Sequence, residues 1–273
     1  MVLDTSMPPQ TNTFLARLRA EELTLMLGIR IARTADSVRI AHSTGHHAIM
    51  VDLEHSTMSL DVAVNLCATA ADLGMTPFVR IPEREYGAIG RLLDGGAHGI
   101  IAPRIETAEQ AADVSRACRF APRGQRSQLA SVPLTGMRPT PATTMNPILD
   151  EATIVQVLIE TPQGVANAEA IAAVDGVDMV AVGANDLTSE LGIPGQYEHP
   201  ALREAIATVA TACARHRKPL MVGGVADQEL FASLVSLGVA PVQLTGMDTD
   251  LLYSAARRRV DVIEQGHRGL TPS

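Results

Sequence analysis

The stretch TIVQVLIETPQGVANAEAIAAVDGVDMVAVGAND, residues 153–186, decides the predicted fold. Its two ends, residues 153–161 and 177–186, are short and continuously apolar, which is typical of strands covered on both faces. Between them, residues 165–173 are rich in alanine and have apolar side chains at helical spacing. A strand, a helix and a second strand in this order predict a parallel α/β unit.

The same alternation continues on both sides of this stretch. Further strand-like segments lie at residues 25–30, 48–55, 76–82, 99–105, 220–225 and 242–248, and helical segments lie at residues 59–73, 86–95, 108–119 and 201–215. Eight strands with intervening helices predict an α/β protein with a single (β/α)8 TIM barrel. A doubly wound open sheet is the alternative, but GIRIART, residues 28–34, is not its Gly-rich dinucleotide fingerprint. Two long segments, residues 120–150 and 188–200, are expected to be functional loops.

Length and charge restrict the classes of function. The 273 residues fit one barrel domain, residues 13–273, after a flexible N-terminal arm, residues 1–12. The net charge of −8 argues against binding to nucleic acid or to an anionic membrane. We find no apolar run of membrane-spanning length and no secretory signal in MVLDTSMPPQTNT. Three scattered cysteines indicate a reducing, cytoplasmic location.

Polar residues follow most of the predicted strands at their C-terminal ends, where TIM barrels carry their active sites. They are Asp52, Glu54 and His55 after the second strand, Arg80 after the third, Arg104 and Glu106 after the fourth, Glu160 after the fifth, Asn185 and Asp186 after the sixth, and Asp248 after the eighth. This concentration at one rim predicts an enzyme.

Glu160 and Asp186 end neighbouring strands, so their carboxylates are expected to face one cavity. Two carboxylates at a partly buried rim repel each other, and a divalent cation removes that repulsion. Oxygen ligands with open water positions suit Mg²⁺ or Mn²⁺. The alternative is that the two carboxylates form ion pairs with Arg80 or Arg104.

The other candidates have acid–base or charge-stabilising chemistry. His55 lies at a strand end beside acidic residues, which suits a general base. Arg80 can hold an anion or stabilise an oxyanion. His199, in the segment 188–200, is a weaker candidate for contact with substrate. Lys218 is the only lysine and precedes the seventh strand, at the opposite rim, which argues against Schiff-base chemistry.

Seven stretches, in this order along the chain, carry a resemblance to known sequences: VDLEHS (51–56), PFVRIP (77–82), RLLDGGAHGIIAPRIETAEQA (91–111), FAPRGQR (120–126), VLIETPQGVAN (157–167), VDGVDMVAVGANDLTSELGIPG (174–195) and GMDTDLL (246–252). Together they resemble the HpcH/HpaI family of class II pyruvate aldolases, which act on 4-hydroxy-2-oxo acids and 2-keto-3-deoxy sugar acids. The resemblance implies a TIM-barrel lyase that cleaves a 4-hydroxy-2-oxo acid to pyruvate, or a close 2-oxo acid, and an aldehyde.

The resemblance also implies roles for individual residues. Glu160 and Asp186 would bind a divalent metal (Mg²⁺ or Mn²⁺, with Co²⁺ or Zn²⁺ as further options), His55 would be the acid/base, Arg80 would stabilise the enolate, Asp94 would reach a neighbouring subunit to support its histidine, and the N–H groups of Asn185 and Asp186 would hold the pyruvate carboxylate. The family assembles as a homo-hexamer, a trimer of dimers in which the last helix is swapped between subunits.

The chain departs from the family pattern at three places. Residues 183–186 read Gly-Ala-Asn-Asp where the family often has Gly-Pro-Ala-Asp, and Leu158 stands where it often has Gln. Residues 127–146 lack an Arg- and aromatic-containing signature associated with the aldehyde side of the site. Alternative functions are therefore an oxaloacetate decarboxylase or CoA-ester lyase of the same metal-enolate type, and a non-catalytic barrel that binds a keto acid.

Overall fold

The computed structural model describes residues 12–268, so the predicted N-terminal arm lies outside the described residues except for Asn12. Within residues 12–268 the chain forms eight strands and twelve α-helices. The strands are β1 (Thr24–Ile29), β2 (Ala48–Asp52), β3 (Thr76–Arg80), β4 (Gly99–Ala102), β5 (Ile154–Ile159), β6 (Met179–Gly183), β7 (Leu220–Gly223) and β8 (Val242–Met247). The helices are α1 (Thr13–Arg19), α2 (Asp36–Ser43), α3 (Leu60–Asp72), α4 (Ile89–Asp94), α5 (Ala108–Cys118), α6 (Ala142–Ala152), α7 (Pro162–Ala166), α8 (Ala168–Ala172), α9 (Ala184–Glu190), α10 (Pro200–Arg215), α11 (Gln228–Val235) and α12 (Asp248–Arg268).

The strands form one parallel sheet in the order β7-β6-β5-β4-β3-β2-β1-β8. The two ends of this sheet meet, because the N–H of Ala240, just before β8, donates a hydrogen bond of 2.7 Å to the carbonyl of Leu220 in β7. The nearly closed barrel confirms the predicted fold class. All eight predicted strands are present, and the C-terminal ends of the strands meet at one rim.

The barrel encloses an apolar interior distinct from the layer between strands and helices. Met26, Met50, Phe78 and Met221 are among the buried side chains of this interior. Its N-terminal end is closed by α1, whose Phe14 is fully buried with its ring centroid 4.8 Å from that of Phe78. Any access to the interior through the described chain is therefore from the C-terminal rim.

Several predicted segments differ from the structure in type or extent. The helix expected over residues 165–173 is two short helices, α7 and α8, and the loop expected over residues 120–150 contains α6 with Pro147 inside it. Proline lacks the N–H that a helix interior uses, yet α6 forms with Pro147 inside it. The second predicted strand is also shorter, because the Asp52 carboxylate accepts the N–H groups of Glu54 and His55 and turns the chain away from the sheet.

The last helix, α12, leaves much of its apolar surface uncovered. Leu252 is 62% exposed, Tyr253 71% and Ile263 58%. Large apolar side chains at this exposure are typical of a protein–protein contact. Among the helices of residues 12–268, none combines the length and the apolar character needed to cross a bilayer.

Candidate active site

A cavity of about 320 Å³ opens at the C-terminal ends of the strands. Its rim carries Arg30, Arg80, Glu160, Asn185 and Asp186, and its deeper wall is apolar and rich in methionine: Met26, Met50, Leu158, Met221 and Met247. The structure therefore brings four of the predicted site residues, Arg80, Glu160, Asn185 and Asp186, into one lining.

A larger depression of about 830 Å³ lies at the other end of the barrel. Its lining includes Arg119 and Lys218, but it contains none of the predicted catalytic or metal-binding residues. Lys218 donates a hydrogen bond to the carbonyl of Val177 just before β6, at the N-terminal end of the strands as expected. We place the chemistry in the smaller cavity because the polar strand ends converge there.

Glu160 follows β5 and is only 3% exposed. Its Oε2 accepts a hydrogen bond of 2.9 Å from the main-chain N–H of Arg104. Burial, with a smaller contribution from the negative charges of Asp186 and Glu54, raises the pKa of Glu160 to about 7, although that hydrogen bond and the charge of Arg80 oppose the shift. The carboxylate can approach β6 closely because residue 183 is glycine: a Cβ there would lie 2.6 Å from Glu160 Oε1.

Asp186 lies in the first turn of α9 and is exposed to the cavity. In the described part of the chain it has no hydrogen-bond or ion-pair partner. Beside it, Asn185 Oδ1 accepts a hydrogen bond of 2.6 Å from the hydroxyl of Tyr197. The first turn of α9 therefore offers one free carboxylate and one held amide to the cavity.

The donors fit a divalent cation with few protein ligands. Glu160 and Asp186 are both carboxylates, and neither forms an ion pair with a Lys, Arg or His among residues 12–268. No group of three or more His, Cys, Asp or Glu side chains in the described residues is arranged to hold a metal. Two carboxylates with open positions suit a hydrated cation such as Mg²⁺ rather than a closed structural site.

Arg80 is held by the fully buried Asp52. Its Nε and Nη2 donate to the two carboxylate oxygens at 3.0 and 2.7 Å, and Arg30 Nε donates to Asp52 Oδ2 at 3.0 Å. Burial alone would raise the pKa of Asp52, but the hydrogen bonds and charge of Arg80, with help from Arg30, lower it. The ionised carboxylate thus fixes both guanidinium groups at the cavity rim.

His55 lies on the loop after β2 and does not line the cavity. Its side chain is 53% exposed, and its Nε2 lies 3.6 Å from Glu54 Oε2. That same oxygen lies 3.2 Å from Arg80 Nη1. Burial raises the pKa of Glu54, although the positive charges of Arg80 and His55 oppose that shift.

Asp94 is far from this rim within its own chain. It ends α4 shortly before β4 begins, which places it at the N-terminal end of the strands. Its carboxylate pairs with Arg126 at 2.8 Å. Its implied contact with a neighbouring subunit's histidine stays a prediction.

Arg104 and Glu106, two further strand-end residues, have structural contacts. The Arg104 guanidinium pairs with Glu190 at 3.0 Å. The alternative in which the Arg104 side chain forms an ion pair with Glu160 is therefore wrong. Arg104 contacts Glu160 through its main-chain N–H. Glu106 accepts a hydrogen bond of 2.8 Å from Thr161 Oγ1.

The side chains of Asp248 and His199 also have structural contacts, because both accept hydrogen bonds from main-chain N–H groups. Asp248 accepts hydrogen bonds from the N–H groups of Arg30 and Ala32 at 2.9 and 2.8 Å. His199 Nδ1 accepts the N–H of Ala201 at 3.1 Å at the start of α10. Within the segment 188–200, Tyr197 rather than His199 lines the cavity.

Arg30 and Tyr197 also line the cavity, although the sequence did not lead us to predict either as a site residue. Arg30 is the last residue of the predicted strand 25–30, so the rule that located the other rim residues also applies to it. Tyr197 lies in a loop already flagged by its length. Residues 127–146, which the resemblance placed on the aldehyde side, contribute nothing to this cavity within one chain.

Comparison with known proteins gives concordant results. Residues 31–255 match the family described as HpcH/HpaI aldolase/citrate lyase. The chain is 40% identical over 200 residues to a 4-hydroxy-4-methyl-2-oxoglutarate aldolase of Hapsidospora irregularis, covering 72% of this chain and 74% of that protein. It is 36% identical over 248 residues to a protein of the same name from Chaetomium globosum, covering 90% and 92%. The crystal structure of an HpcH/HpaI aldolase from Desulfitobacterium hafniense superposes with a TM-score of 0.85 at 28% identity, covering 92% of this chain and 96% of that one.

Proposed function

Because the chain belongs to the HpcH/HpaI aldolase/citrate lyase family, we propose that it is a carbon–carbon lyase that cleaves a 4-hydroxy-2-oxo acid reversibly into pyruvate, or a close 2-oxo acid, and an aldehyde. The two fungal relatives named aldolases support this reaction class. One observation carries the proposal: Glu160 and Asp186, two carboxylates without a cationic partner among residues 12–268, line the same cavity as Arg80.

Glu160 and Asp186 would hold a divalent metal, Mg²⁺ or Mn²⁺, while Co²⁺ or Zn²⁺ also fit carboxylate ligands. When bound, such an ion supplies Lewis-acid stabilisation of negative charge on the 2-oxo oxygen. The raised pKa of Glu160 supports this assignment, because a buried carboxylate beside two other negative charges gains from a cation.

Arg80 would stabilise the same developing charge from the protein side. Asp52 and Glu54 engage its Nε, Nη1 and Nη2, and the guanidinium has further N–H groups to offer the cavity. A hydrogen-bond donor that is already held in position does not have to reorient when negative charge develops in the transition state, so no free energy is spent on reorganisation. Asp52 therefore acts as the positioning residue for Arg80.

The substrate carboxylate would be held by the N–H groups of Asn185 and Asp186, where α9 begins. His55 would take the C4 hydroxyl proton in cleavage, and a proton returned to C3 completes the conversion of the enolate to pyruvate. His55 is exposed and outside the cavity lining, so we expect another subunit to complete its surroundings.

Asp94 of a second copy would supply that completion, in a homo-hexamer built as a trimer of dimers. The uncovered apolar face of α12, including Leu252 and Tyr253, supports a contact between subunits. Sedimentation of wild type and Tyr253→Asp tests this: we expect the variant to dissociate and to lose activity with assembly. An active wild-type monomer contradicts it.

Cleavage itself is tested by pyruvate release from a 4-hydroxy-2-oxo acid, with Mg²⁺ or Mn²⁺ and with EDTA. We expect release only with metal. Activity that survives thorough chelation, or borohydride trapping of pyruvate on Lys218, contradicts the proposal. Turnover of oxaloacetate without aldol cleavage would favour the decarboxylase, and pyruvate binding without C3 proton exchange in D₂O would favour a binding protein.

The metal ligands are tested by Glu160→Gln and Asp186→Asn. We expect each variant to keep its fold by circular dichroism and to lose Mn²⁺ binding in a calorimetric titration. A variant that binds as wild type does would remove that residue from the ligand set.

A cytoplasmic location completes the proposal. Cys67, Cys118 and Cys213 are all unpaired and buried, and burial raises the pKa of each thiol to about 12. Thiols kept free and unreactive in this way suit a reducing compartment.

A further inference from the structure

The depression of about 830 Å³ at the N-terminal ends of the strands takes no part in the proposed cleavage. Its lining includes Arg19, Arg119, Arg123, Arg217 and Lys218, and we call it the N-terminal depression. Arg19 ends α1, Arg119 and Arg123 follow α5, and the other two precede β7. Basic residues from three separate parts of the chain therefore meet at one depression of a protein whose net charge is −8.

The N-terminal depression has an excess of positive charge. Its lining contains three carboxylates, those of Asp150, Glu151 and Asp178, against five cations. Asp178 is already paired with Arg119, and the Asp150 carboxylate accepts the main-chain N–H of Phe120 at 3.1 Å. Within residues 12–268, none of the three carboxylates forms an ion pair with the four remaining cations. Two positive charges of the lining are therefore left without a balancing carboxylate.

Three arginines of this lining have side chains that are free to bind a ligand. Arg19, Arg123 and Arg217 are exposed, and none has a hydrogen-bond or ion-pair partner in the described part of the chain. Lys218 is half-buried and donates one hydrogen bond, to the carbonyl of Val177. Guanidinium groups bind phosphate oxygens in a bidentate manner, and a lysine ammonium adds a point charge. The donors of the N-terminal depression therefore suit a phosphate-bearing anion.

Arg217 occupies a backbone position that favours glycine. Its φ is 53°, in the turn between α10 and β7. The N–H of Arg217 donates to the carbonyl three residues before it, and the next N–H donates to the carbonyl five residues before that N–H. Four other helix-to-strand turns have the same pair of hydrogen bonds and a glycine with φ between 75° and 108° at this position: Gly45, Gly74, Gly96 and Gly238. A side chain in this left-handed conformation strains the backbone, so the turn itself gives no reason for an arginine, whereas a ligand in the depression does.

The N-terminal depression also offers an apolar surface beside the cations. Leu15 and Leu18 of α1 line it together with Pro122, Pro147 and Pro219, and all five side chains are at least partly exposed. A volume of about 830 Å³ is in the range of sites that bind organic small molecules. The combination fits an organic molecule that carries several negative charges.

We propose that the N-terminal depression binds a polyphosphate group through Arg19, Arg123 and Arg217, with Lys218 adding positive charge. A nucleoside triphosphate and an inorganic polyphosphate share this chemistry. The leucine and proline surface favours the nucleotide, because a base can pack against it. The depression lies at the opposite end of the barrel from Glu160, so this ligand is not the substrate of the proposed cleavage, and the inference does not depend on that reaction.

Calorimetric titration of the full chain with ATP and with tripolyphosphate tests this site. EDTA is present throughout, so that divalent cations at Glu160 and Asp186 contribute nothing. We expect ATP to bind with a Kd below about 1 mM, and tripolyphosphate to bind about 10-fold more weakly because it lacks the base. Arg217→Gly should weaken the binding of both probes about 10- to 100-fold, through the loss of charged hydrogen bonds. Its thermal unfolding temperature should stay the same or rise, because glycine suits the turn.

Arg215→Gln is the matched control, because Arg215 is an exposed arginine of α10 that pairs with Glu169 and does not line the N-terminal depression. It removes the same charge and should leave both affinities within about twofold. Equal affinities for ATP and tripolyphosphate, both reduced in Arg217→Gly, would support the site and identify the inorganic chain as its ligand.

Three results would overturn the inference. The first is that wild type binds neither probe at about 1 mM. The second is that Arg19→Gln, Arg123→Gln and Arg217→Gly all bind ATP as wild type does, which would place the ligand elsewhere. The third is an equal loss of affinity in Arg215→Gln, which would show an effect of net charge alone.

Discussion

The buried carboxylate of Asp52 receives two hydrogen bonds from the guanidinium of Arg80, at 3.0 and 2.7 Å, across the register pair that joins the ends of β2 and β3. Adjacent parallel strands bring these two residues side by side, so the sequence places the arginine and its counterion together. The pair fixes the direction of the charge that Arg80 presents to the cavity.

Asp52→Asn should weaken both stability and activity. The substitution leaves Arg80 and Arg30 without their shared negative charge, which we expect to cost about 3 kcal/mol in the free energy of unfolding. Misplacing Arg80 should slow C3 proton exchange of pyruvate about 100-fold. Urea denaturation and NMR exchange in D₂O measure the two effects. The control Asp36→Asn breaks the exposed Arg39–Asp36 pair and should change neither; an unaltered unfolding curve for Asp52→Asn would contradict the argument.

Glu160 should make the metal-free protein less stable as pH rises. Its pKa is raised from 4.5 to about 7 in the folded state, so between these values the unfolded chain has released a proton that the folded chain retains. Stability is therefore lost on raising the pH through this window, by about 3 kcal/mol in full. With EDTA present, Glu160→Gln should be more stable than wild type above pH 7 and equal to it below pH 4.5.

Added Mn²⁺ provides the control for this comparison. It should stabilise wild type above pH 7 and leave Glu160→Gln unchanged, since only the ionised carboxylate binds the cation. Thermal unfolding with and without the metal gives both results. If the free energy of unfolding of metal-free wild type does not change between pH 4.5 and 7, the pKa of Glu160 is not raised in the folded state and the prediction is wrong.

Gly183→Ala should displace the Glu160 carboxylate. A Cβ at this position would lie 2.6 Å from Glu160 Oε1 and 2.8 Å from its Cγ, closer than real atoms approach. We expect Mn²⁺ affinity to fall about 10-fold or more, because a shifted ligand no longer matches its partner Asp186. Gly223→Ala is the matched control on the neighbouring strand, where the nearest atom would be 3.9 Å away, and it should change the affinity far less. Equal affinities in the two variants would refute the close-contact argument.

How far the sequence predicts the site depends on the kind of information each residue carries. In the sequence, the end of a strand is recognised as an apolar segment followed by a charged residue. Arg80, Glu160 and Asp186 are therefore predicted directly from the rule that the active site of a barrel lies at the C-terminal ends of its strands. The same rule overpredicts Asp248, because a carboxylate at a strand end is equally able to bind main-chain N–H groups, and the sequence does not show the loop that folds over it.

Residues whose role depends on tertiary contacts are not predictable in this way. Tyr197 reaches the cavity only because its loop folds back onto α9, where Thr188 Oγ1 accepts the N–H of Gly195 at 3.2 Å. The helix α6 formed despite Pro147, which local propensity disfavours. Packing of Met145 and Leu149 in a small buried cluster with Phe120 outweighs that preference, and no local pattern reveals it.

Tyr197→Phe should weaken substrate binding through Asn185. The Tyr197 hydroxyl donates to Asn185 Oδ1 at 2.6 Å, and the amide oxygen is packed against Gly224, where a Cβ would lie only 2.8 Å away. Removing the hydroxyl frees an amide at the proposed carboxylate site, and the loss of one neutral hydrogen bond should raise KM for the oxo acid about fivefold with kcat little changed.

The double variant Tyr197→Phe with Asn185→Ala separates this pairing from independent effects. If the hydroxyl acts only through the amide, the double variant should raise KM no further than Asn185→Ala alone. Tyr86→Phe, in a tyrosine that does not line the cavity, should leave both constants unchanged. Additive losses in the double variant would mean that Tyr197 contacts substrate itself, since the ring faces the same cavity as Asn185 and Asp186.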